Sequence, residues 1–381
     1  MTKARKGNAA QFSRVGNCSL AVRNDGRSMV ESILNEPTFQ EADRGNMDFP
    51  EVTIVVLNYN GKKHIHRCLD SIFKMDYPRF KVIVIDNASS DGSLDSVKER
   101  YPQVKTIKYD RNHGFAKAYN IGLQKIENDF MVLMNNDVTV EPEWLRRLMP
   151  YIVNNREVSA VTPKMLFVRD RKEINAAGGK CDIYGSGWNR GNGETDNGQY
   201  EKVEEVFYAN CAAIVISKSA WEDVGSFDEE YFLYGEDLDW CWRARLKGYR
   251  IFYVPSSRIY HEWHASNGEM VPFMERYWLT TMLKNYNSKT LAKLGPKLLM
   301  LKGLVGVWLL LNGRGMREKL AVFDSFAWNL NMFKKTWKKR LSIQAQRKID
   351  DGEIQRHMYN GSLELSLWLN TMKHPITREW A

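Results

Sequence analysis

Apolar positions come in unbroken blocks along this chain rather than in strict alternation. Val52-Thr53-Ile54-Val55-Val56-Leu57 is a β-branched run with the pattern of a strand buried on both faces. Asn58-Tyr59-Asn60-Gly61 breaks it, and Ile65, Cys68, Leu69, Ile72 and Phe73 then fall at helical spacing. Phe80–Ile85 predicts a second buried strand. The turn Asp86-Asn87-Ala88-Ser89-Ser90-Asp91-Gly92 closes it and offers caps for the next helix. Thr106–Tyr109 predicts a third strand, followed by Asn112-His113-Gly114-Phe115 and another helix, and Asp129–Met134 predicts a fourth. Strands and helices alternating at this spacing predict an α/β domain on a doubly wound, mostly parallel sheet. Ligands of such sheets sit beyond the C-terminal strand ends, so the polar turns after the strands are the candidate site.

Outside this pattern the chain changes character three times. Residues 1–49 are polar without sustained periodicity and read as an N-terminal extension. Residues 170–205 are rich in Gly, Asn and Asp and read as an irregular insertion or hairpin, after which Val206–Ser217 returns to strand character. From about Ser266 long helical segments rich in Lys, Trp and Met take over, so a domain spanning 50–266 and a helical, basic region spanning 267–381 are expected. Within that region Lys297–Leu311 is strongly apolar but falls short of the ~20 residues that span a bilayer. Leu320, Phe323, Phe326, Leu330, Phe333 and Trp337 recur at near-helical spacing among Lys334, Lys335, Lys338, Lys339 and Arg340.

Charge sharpens the last point. The net charge is +9, yet Lys284–Asp350 alone carries fifteen Lys or Arg against Glu318, Asp324 and Asp350. The basicity is local and implies an anionic partner for that segment. A basic amphipathic helix with Trp and Phe suits a membrane interface; a helical bundle packed on the domain, or on a second subunit as a homodimer, is the alternative. No nucleic acid is expected, since no nucleic-acid-binding fold accompanies the charge. Five scattered cysteines without a CxxC fit a reducing compartment without disulfides or structural zinc. The N-terminus has no apolar stretch of the kind that opens a secretory leader.

The candidate chemistry is carboxylate chemistry. Glu236, Asp237 and Asp239 occupy four positions between the aromatic runs Phe227–Tyr234 and Trp240–Trp242. A carboxylate pair beside aromatic walls is the setting that raises one pKa toward that of a base; an acidic helix start is the plainer reading. Asn135-Asn136-Asp137 follows a strand, where oxygen ligands could hold a hard divalent cation against a diphosphate; a turn explains the same residues. Asp86 ends a strand and could accept from a base or ribose, or simply belong to a capping turn. His261 and His264 follow the strand-like Arg250–Val254, and an imidazole there could complete a metal shell. No GxGxxG follows the first strand and no Walker loop is present, so a dinucleotide enzyme and a P-loop enzyme are both disfavoured.

Taken in order, the stretches VTIVVLNYNGKKHIHRCLDSI, VIVIDNASSDGS, NHGFAKAYNIG, LMNNDV and VGSFDEEYFLYGEDLDWCWRARLKGYRIFYVPSSRIYHEWHAS, spread over residues 52–266, resemble family 2 of the inverting glycosyltransferases. The likeness is to rhamnosyltransferase-like members that build bacterial and archaeal surface polysaccharides. It implies the GT-A fold, a Rossmann-like nucleotide-binding half joined to an acceptor half. It implies that Leu57, Asn58 and Tyr59 border the nucleobase and that Asp86 hydrogen-bonds it. Asn112, Gly114 and Lys117 would run along the ribose and diphosphate. Asn135-Asn136-Asp137 stands where the family carries its Asp-x-Asp motif, with Asn first here, leaving Asp137 as the carboxylate ligand of Mn²⁺ or Mg²⁺. His261 would join the metal, and Ser266 matches the serine that follows it. Asp237 would be the general base, with Glu236 orienting it or the acceptor, and Trp240 and Trp263 would line the acceptor side.

The resulting expectation is an inverting, metal-dependent hexosyltransferase using a dTDP-, UDP- or GDP-linked sugar and a glycan or lipid-linked acceptor. It would be cytoplasmic and peripheral on the inner face of the cell membrane. A non-catalytic nucleotide-sugar or carbohydrate-binding module on the same fold is the alternative, and the joint presence of Asp86, Asp137 and Asp237 argues against it. A membrane scaffold would rest on the C-terminal segment alone.

Overall fold

The computed structural model describes residues 49–153, 155–262, 270–313 and 315–366. The four strands expected from the buried runs form, as β1 (Val52–Asn58), β2 (Phe80–Asp86), β3 (Lys105–Lys108) and β4 (Phe130–Asn135). They pair in parallel in the order β3-β2-β1-β4. The register sets Asn58 beside Asp86 and Leu57 beside Asn135. All three polar turns therefore open at one edge of the sheet. Every β1 residue but Leu57 is buried, as a central parallel strand requires. Helix α1 (Ile65–Phe73) buries Ile65, Cys68, Leu69 and Ile72, one stripe at helical spacing. Helices α2 (Ser93–Arg100) and α3 (Gly114–Leu123) follow β2 and β3.

The second half adds β5 (Val138–Val140), β6 (Val158–Phe167), β7 (Ile174–Ala176), β8 (Gly179–Cys181), β9 (Gly187–Asn189), β10 (Glu204–Glu205), β11 (Ala213–Ser217) and β12 (Arg250–His261). Beyond β4 the sheet continues as β11-β6-β12-β10. Strand β11 runs antiparallel to β4 and β6, and β12 runs parallel to β6. The sheet is thus mixed and mostly parallel. The Gly-rich stretch 170–205 is more ordered than its composition suggests. Its β7 extends the main sheet along β6, β10 pairs with β12, and β8 and β9 form a small hairpin between them. Only Ala213–Ser217 of the expected strand 206–217 is a strand. Helices α4 (Trp144–Leu148), α5 (Pro150–Val153), α6 (Lys218–Val224) and α7 (Glu236–Leu246) complete this half.

Helices α8 (Met270–Asn285), α9 (Ser288–Asn312), α10 (Met316–Lys319), α11 (Ala321–Gln346) and α12 (Asp351–Arg356) follow. Helix α9 is longer than its apolar run. Asn287 caps it by accepting from the Thr290 N–H, and Pro296 is accommodated within it. By length and composition it is long and apolar enough to cross a membrane, unlike the shorter span read from the sequence.

A buried ionic cluster ties these helices to α7. Lys284 of α8 is 1% exposed and reaches Asp228 Oδ2 at 2.6 Å and Asp239 Oδ1 at 2.9 Å. Arg243 shares Asp239 at 3.0 Å, and Lys339 of α11 pairs with Asp228. Removing one partner of such a cluster strands charge in the interior. Lys284→Met is expected to cost roughly 3–5 kcal/mol, read as a lower urea midpoint, whereas the exposed Lys334→Met should stay within about 0.5 kcal/mol.

Candidate active site

Three turns at the sheet edge are locked together by one side chain. Asn58 is fully buried. Its amide donates to Asp86 Oδ1 at 3.0 Å and Ser93 Oγ at 2.9 Å, and its oxygen accepts from Asn136 Nδ2 at 2.8 Å. Asp86 is also fully buried, and its other oxygen accepts from the Ser89 N–H at 3.1 Å. Gly61 closes this knot, since a Cβ there would collide with Asn136 and Asn58. Asn87 anchors the next turn. Its Nδ2 donates to Asn112 Oδ1 and to the Gly114 carbonyl, and its Oδ1 accepts from the His113 N–H. Gly114, at φ 76°, lies against Phe232, whose carbonyl accepts from the Phe115 N–H at 2.6 Å. The turns after β2 and β3 and the segment leading into α7 therefore meet at Gly114.

Backbone strain concentrates here. Among the described residues, the non-glycine positions at positive φ are Asn60, Ala88 and Tyr234. The first two lie in the turns after β1 and β2. The third precedes Gly235, itself at φ 83°, and the pair turns the chain abruptly into the first turn of α7. Such conformations cost about 1–3 kcal/mol each and persist where surrounding structure imposes them.

Asp137 and His261 are brought together by strand pairing, since β5 and β12 set Val138 opposite His261. His261 Nε2 lies 3.3 Å from Asp137 Oδ1, an oxygen that is buried without a hydrogen bond. The other imidazole nitrogen, Nδ1, is 3.0 Å from Asn175 Oδ1. With Asn175 accepting, Nδ1 carries the proton and Nε2 turns a lone pair toward Asp137. A lone pair and a carboxylate oxygen facing each other leave a gap for a cation, and this donor set fits Mn²⁺ or Mg²⁺. Burial alone pushes the Asp137 carboxyl up, and only an imidazole that instead donates from Nε2 and carries charge would hold it below the ordinary range. Among the described residues no group of three or more His, Cys, Asp or Glu could hold a metal, so remaining ligands would come from water or a bound diphosphate. Nearby, His64 of the β1–α1 turn sits 3.0 Å from Glu262, whose N–H donates to the Asp137 carbonyl.

Asp237 stands at the N-terminus of α7, where the helix dipole favours a carboxylate. It accepts from the Leu238 N–H at 2.7 Å and from the backbone of Cys211. Asn135 donates to the neighbouring Ala212 carbonyl at 2.9 Å, so the Asn-Asn-Asp turn and Asp237 flank one short segment. Burial raises the Asp237 carboxyl to about 6. Glu236 is 5% exposed, its Oε2 has no hydrogen-bond partner, and burial together with the charge of Asp237 holds it protonated well above the ordinary range. One carboxylate poised to ionise near neutrality beside one held neutral is an acid–base arrangement.

The other sequence-predicted residues divide clearly. Tyr59 is half exposed beside the knot, Leu57 is partly buried, and Lys117 reaches Glu229 at 3.4 Å on the α3 side of the cleft. Trp240 does not line an acceptor wall. It is 1% exposed, donates to the Gly225 carbonyl and stacks on Trp221 at 5.7 Å, because α6 covers that flank of α7. Trp263, His264 and Ser266 lie outside the described residues, as does the N-terminal extension apart from Phe49. Sequence reading missed Asn175, His64 and the knot role of Asn58. The last was signalled only by four polar side chains at adjacent strand ends.

Residues 53–223 match the family model described as glycosyl transferase family 2. The chain is 24% identical over 301 residues to the O-antigen biosynthesis protein RfbC of Myxococcus xanthus, covering 73% of this chain but 23% of that protein. It is 26% identical over 240 residues to the N-acetylglucosaminyl-diphospho-decaprenol L-rhamnosyltransferase of Mycobacterium tuberculosis, covering 56% of this chain and 77% of that protein. In structure it resembles GalNAc-T7, crystallised with UDP, GalNAc and Mn²⁺, at TM-score 0.52 and 16% identity, over 64% of this chain and 49% of that one. TarS of S. aureus superposes at TM-score 0.50 and 17% identity, over 80% of this chain and 54% of that one. Both likenesses bear on the fold alone, which is the GT-A type.

The buried Glu236 carboxyl generates a stability prediction. Its proton affinity is higher folded than unfolded, so folding is penalised as pH rises above the ordinary carboxyl value of 4.5. Glu236→Gln removes the penalty. By differential scanning calorimetry it should raise Tm by roughly 2–4 °C at pH 8, with the gain vanishing below about pH 4, where both states are protonated.

Proposed function

We infer that this chain, which belongs to glycosyl transferase family 2, moves a hexose with inversion from a nucleoside-diphosphate donor to a hydroxyl of a glycan or lipid-linked acceptor in surface polysaccharide synthesis. The observation that carries this reading is the pair of sites flanking Cys211-Ala212. The first is a carboxylate–imidazole gap suited to a divalent cation, and the second is a carboxylate lifted to about 6 at a helix N-terminus.

The donor nucleotide would lie over the turns held by Asn58 and Asn87, with Tyr59 beside its base and Asn112, Gly114 and Lys117 along its ribose and diphosphate. Asp86, with both oxygens engaged, would act mainly by fixing Asn58 and Ser89. Asp137 and His261 would hold Mn²⁺ or Mg²⁺, which when bound neutralises charge on the departing diphosphate. Asp237 accepts the proton of the acceptor hydroxyl as that oxygen bonds to the anomeric carbon and the bond to the diphosphate breaks. The protonated Glu236 leaves Asp237 as the single ionised carboxylate of the pair and spares it a like charge. One base opposite one leaving-group site is the minimum for inversion, and no nucleophile on the protein is required. The transferase names of the relatives support the class of reaction; donor, acceptor and linkage belong to this proposal. A cytoplasmic location follows from the need for a nucleotide-linked donor.

Two experiments test the reading. Asp237→Asn should lower transfer by ~10²–10⁴-fold while donor binding by calorimetry stays near wild type. In the wild type, kcat should fall as pH drops through about 6, the value to which burial lifts Asp237; a rate indifferent to both changes removes Asp237 as base. For the cation, Asp137→Ala and EDTA should each abolish Mn²⁺-dependent donor binding, and His261→Ala should weaken it less. Asn175→Leu, which frees the His261 tautomer without touching the ion, should weaken Mn²⁺ binding by about 10–100-fold in an electron-paramagnetic-resonance titration.

A further inference from the structure

Sixteen large hydrophobic side chains are exposed among the described residues, and thirteen of them fall between Leu299 and Leu341. Two of the other three, Tyr59 and Phe232, border the cleft. The rest of the surface is ordinary, so this concentration calls for an occupant.

The exposed residues form stripes. On α9, Lys289, Lys293, Lys297, Met300, Leu304, Val307 and Leu311 recur at steps of three or four and are all exposed, which puts them on one helix face. On α11, Leu330, Lys334, Trp337 and Leu341 do the same, with Phe323 two turns before Leu330, Phe333 stacked on Trp337 at 5.6 Å and Lys338 alongside. The opposite face of each helix is packed. Leu294, Leu298, Leu301, Gly306 and Leu309 of α9 are buried, Val322 of α11 meets Gly306, and Leu309, Ala321 and Val322 form a small core. Lys335 and Lys339 are engaged with Glu230 and Asp228. Lys289, Lys293, Lys297, Lys334 and Lys338 make no ion pair among the described residues.

We propose that the outer faces of α9 and α11 are a bilayer-docking surface, on which α9 lies in the plane of an anionic membrane and does not cross it. Charge selects the occupant. A second copy bound about a two-fold axis would return each lysine-bearing stripe to the same patch, whereas anionic headgroups complement the lysines while acyl chains take Leu304, Val307, Leu311 and Trp337. Lys302 decides against spanning. It lies midway along α9, is 3% exposed, and reaches Glu275 of α8 at 2.8 Å and Glu364 at 2.7 Å. A spanning α9 would carry Lys302 into hydrocarbon and leave two buried carboxylates without their cation.

The test uses the full chain without donor or acceptor, so its outcome is independent of the transfer reading. Co-sedimentation with phosphatidylglycerol–phosphatidylcholine vesicles should exceed that with pure phosphatidylcholine and fall as salt rises. Replacing Lys289, Lys293, Lys297, Lys334 and Lys338 by Gln should weaken partitioning by about fivefold per lysine, from the ~1 kcal/mol that each near-surface lysine contributes. Leu304→Ser with Trp337→Ser should remove the salt-resistant remainder at unchanged Tm. Environment-sensitive dyes on Leu304→Cys and Leu311→Cys should report equal, shallow depths. Depths graded along α9 would mean a spanning helix and overturn the proposal. So would equal binding to neutral and anionic vesicles, or no vesicle binding together with a sedimentation-velocity dimer that Leu304→Ser dissociates.

Discussion

The Asn58 side chain holds the turns at the C-terminal edge of the sheet in shape. It sits at the end of a fully buried strand, where a primary amide without partners would be costly. It satisfies that demand by donating into the β2–α2 turn, through Asp86 and Ser93, and accepting from Asn136 in the β4–β5 turn. Three loops that the sheet merely places side by side thereby become one rigid surface. The strained φ values of Asn60 and Ala88 can persist because the knot leaves their loops no relaxed alternative. Gly61 has no side chain because the knot occupies the space a Cβ would need. A surface fixed in this way presents donors to a ligand without reorganising.

The surroundings of α7 are held differently, by buried charge. Lys284, Asp228, Asp239, Arg243 and Lys339 link α7, α8 and α11 around the helix whose N-terminus carries Glu236 and Asp237. Buried ion pairs add little net stability compared with apolar packing, but they tolerate few alternative geometries. Here they fix the approach of the C-terminal helices to α7. The Phe232 N–H donates to the Tyr277 hydroxyl at 3.0 Å, and its carbonyl reaches α3. Phe232, in the segment that enters α7, thus bridges α8 and the first turn of α3.

The strands were legible from local pattern, whereas Asp137, Asp237 and His261 were singled out by the family resemblance, since the local pattern of each also has a plainer reading. Buried parallel strands are written as β-branched blocks, and the polar residues at their ends mark the turns that the register brings to one edge. What could not be read depends on pairing between distant segments. Asn175 reaches His261 only because β7 adds to β6 and β6 to β12, and nothing in a Gly- and Asn-rich stretch marks one asparagine as the partner of a histidine 86 positions away. Trp240 misleads for the converse reason. It follows the carboxylates closely in sequence, but those side chains leave α7 at its N-terminal end, whereas the tryptophan leaves its flank, where Trp221 waits. Helix α9 was underestimated because only its apolar run, Lys297–Leu311, was counted, whereas the helix takes in Pro296 and keeps Lys302 inside. Glu275 and Glu364 neutralise Lys302.

That neutralisation bears on how the two halves of the chain are coupled. Glu275 belongs to α8, the helix that also supplies Lys284 to α7 and Tyr277 to Phe232. Burial raises the Glu275 carboxyl to about 7 although Lys302 pulls it down. One helix therefore carries the contacts to Asp239 and Phe232, on either side of Glu236 and Asp237, and the contact to Lys302 of α9. The contacts from α9 to α8 through Lys302, and from α8 to α7 through Lys284, are made by buried side chains, which packed interiors hold closely in place.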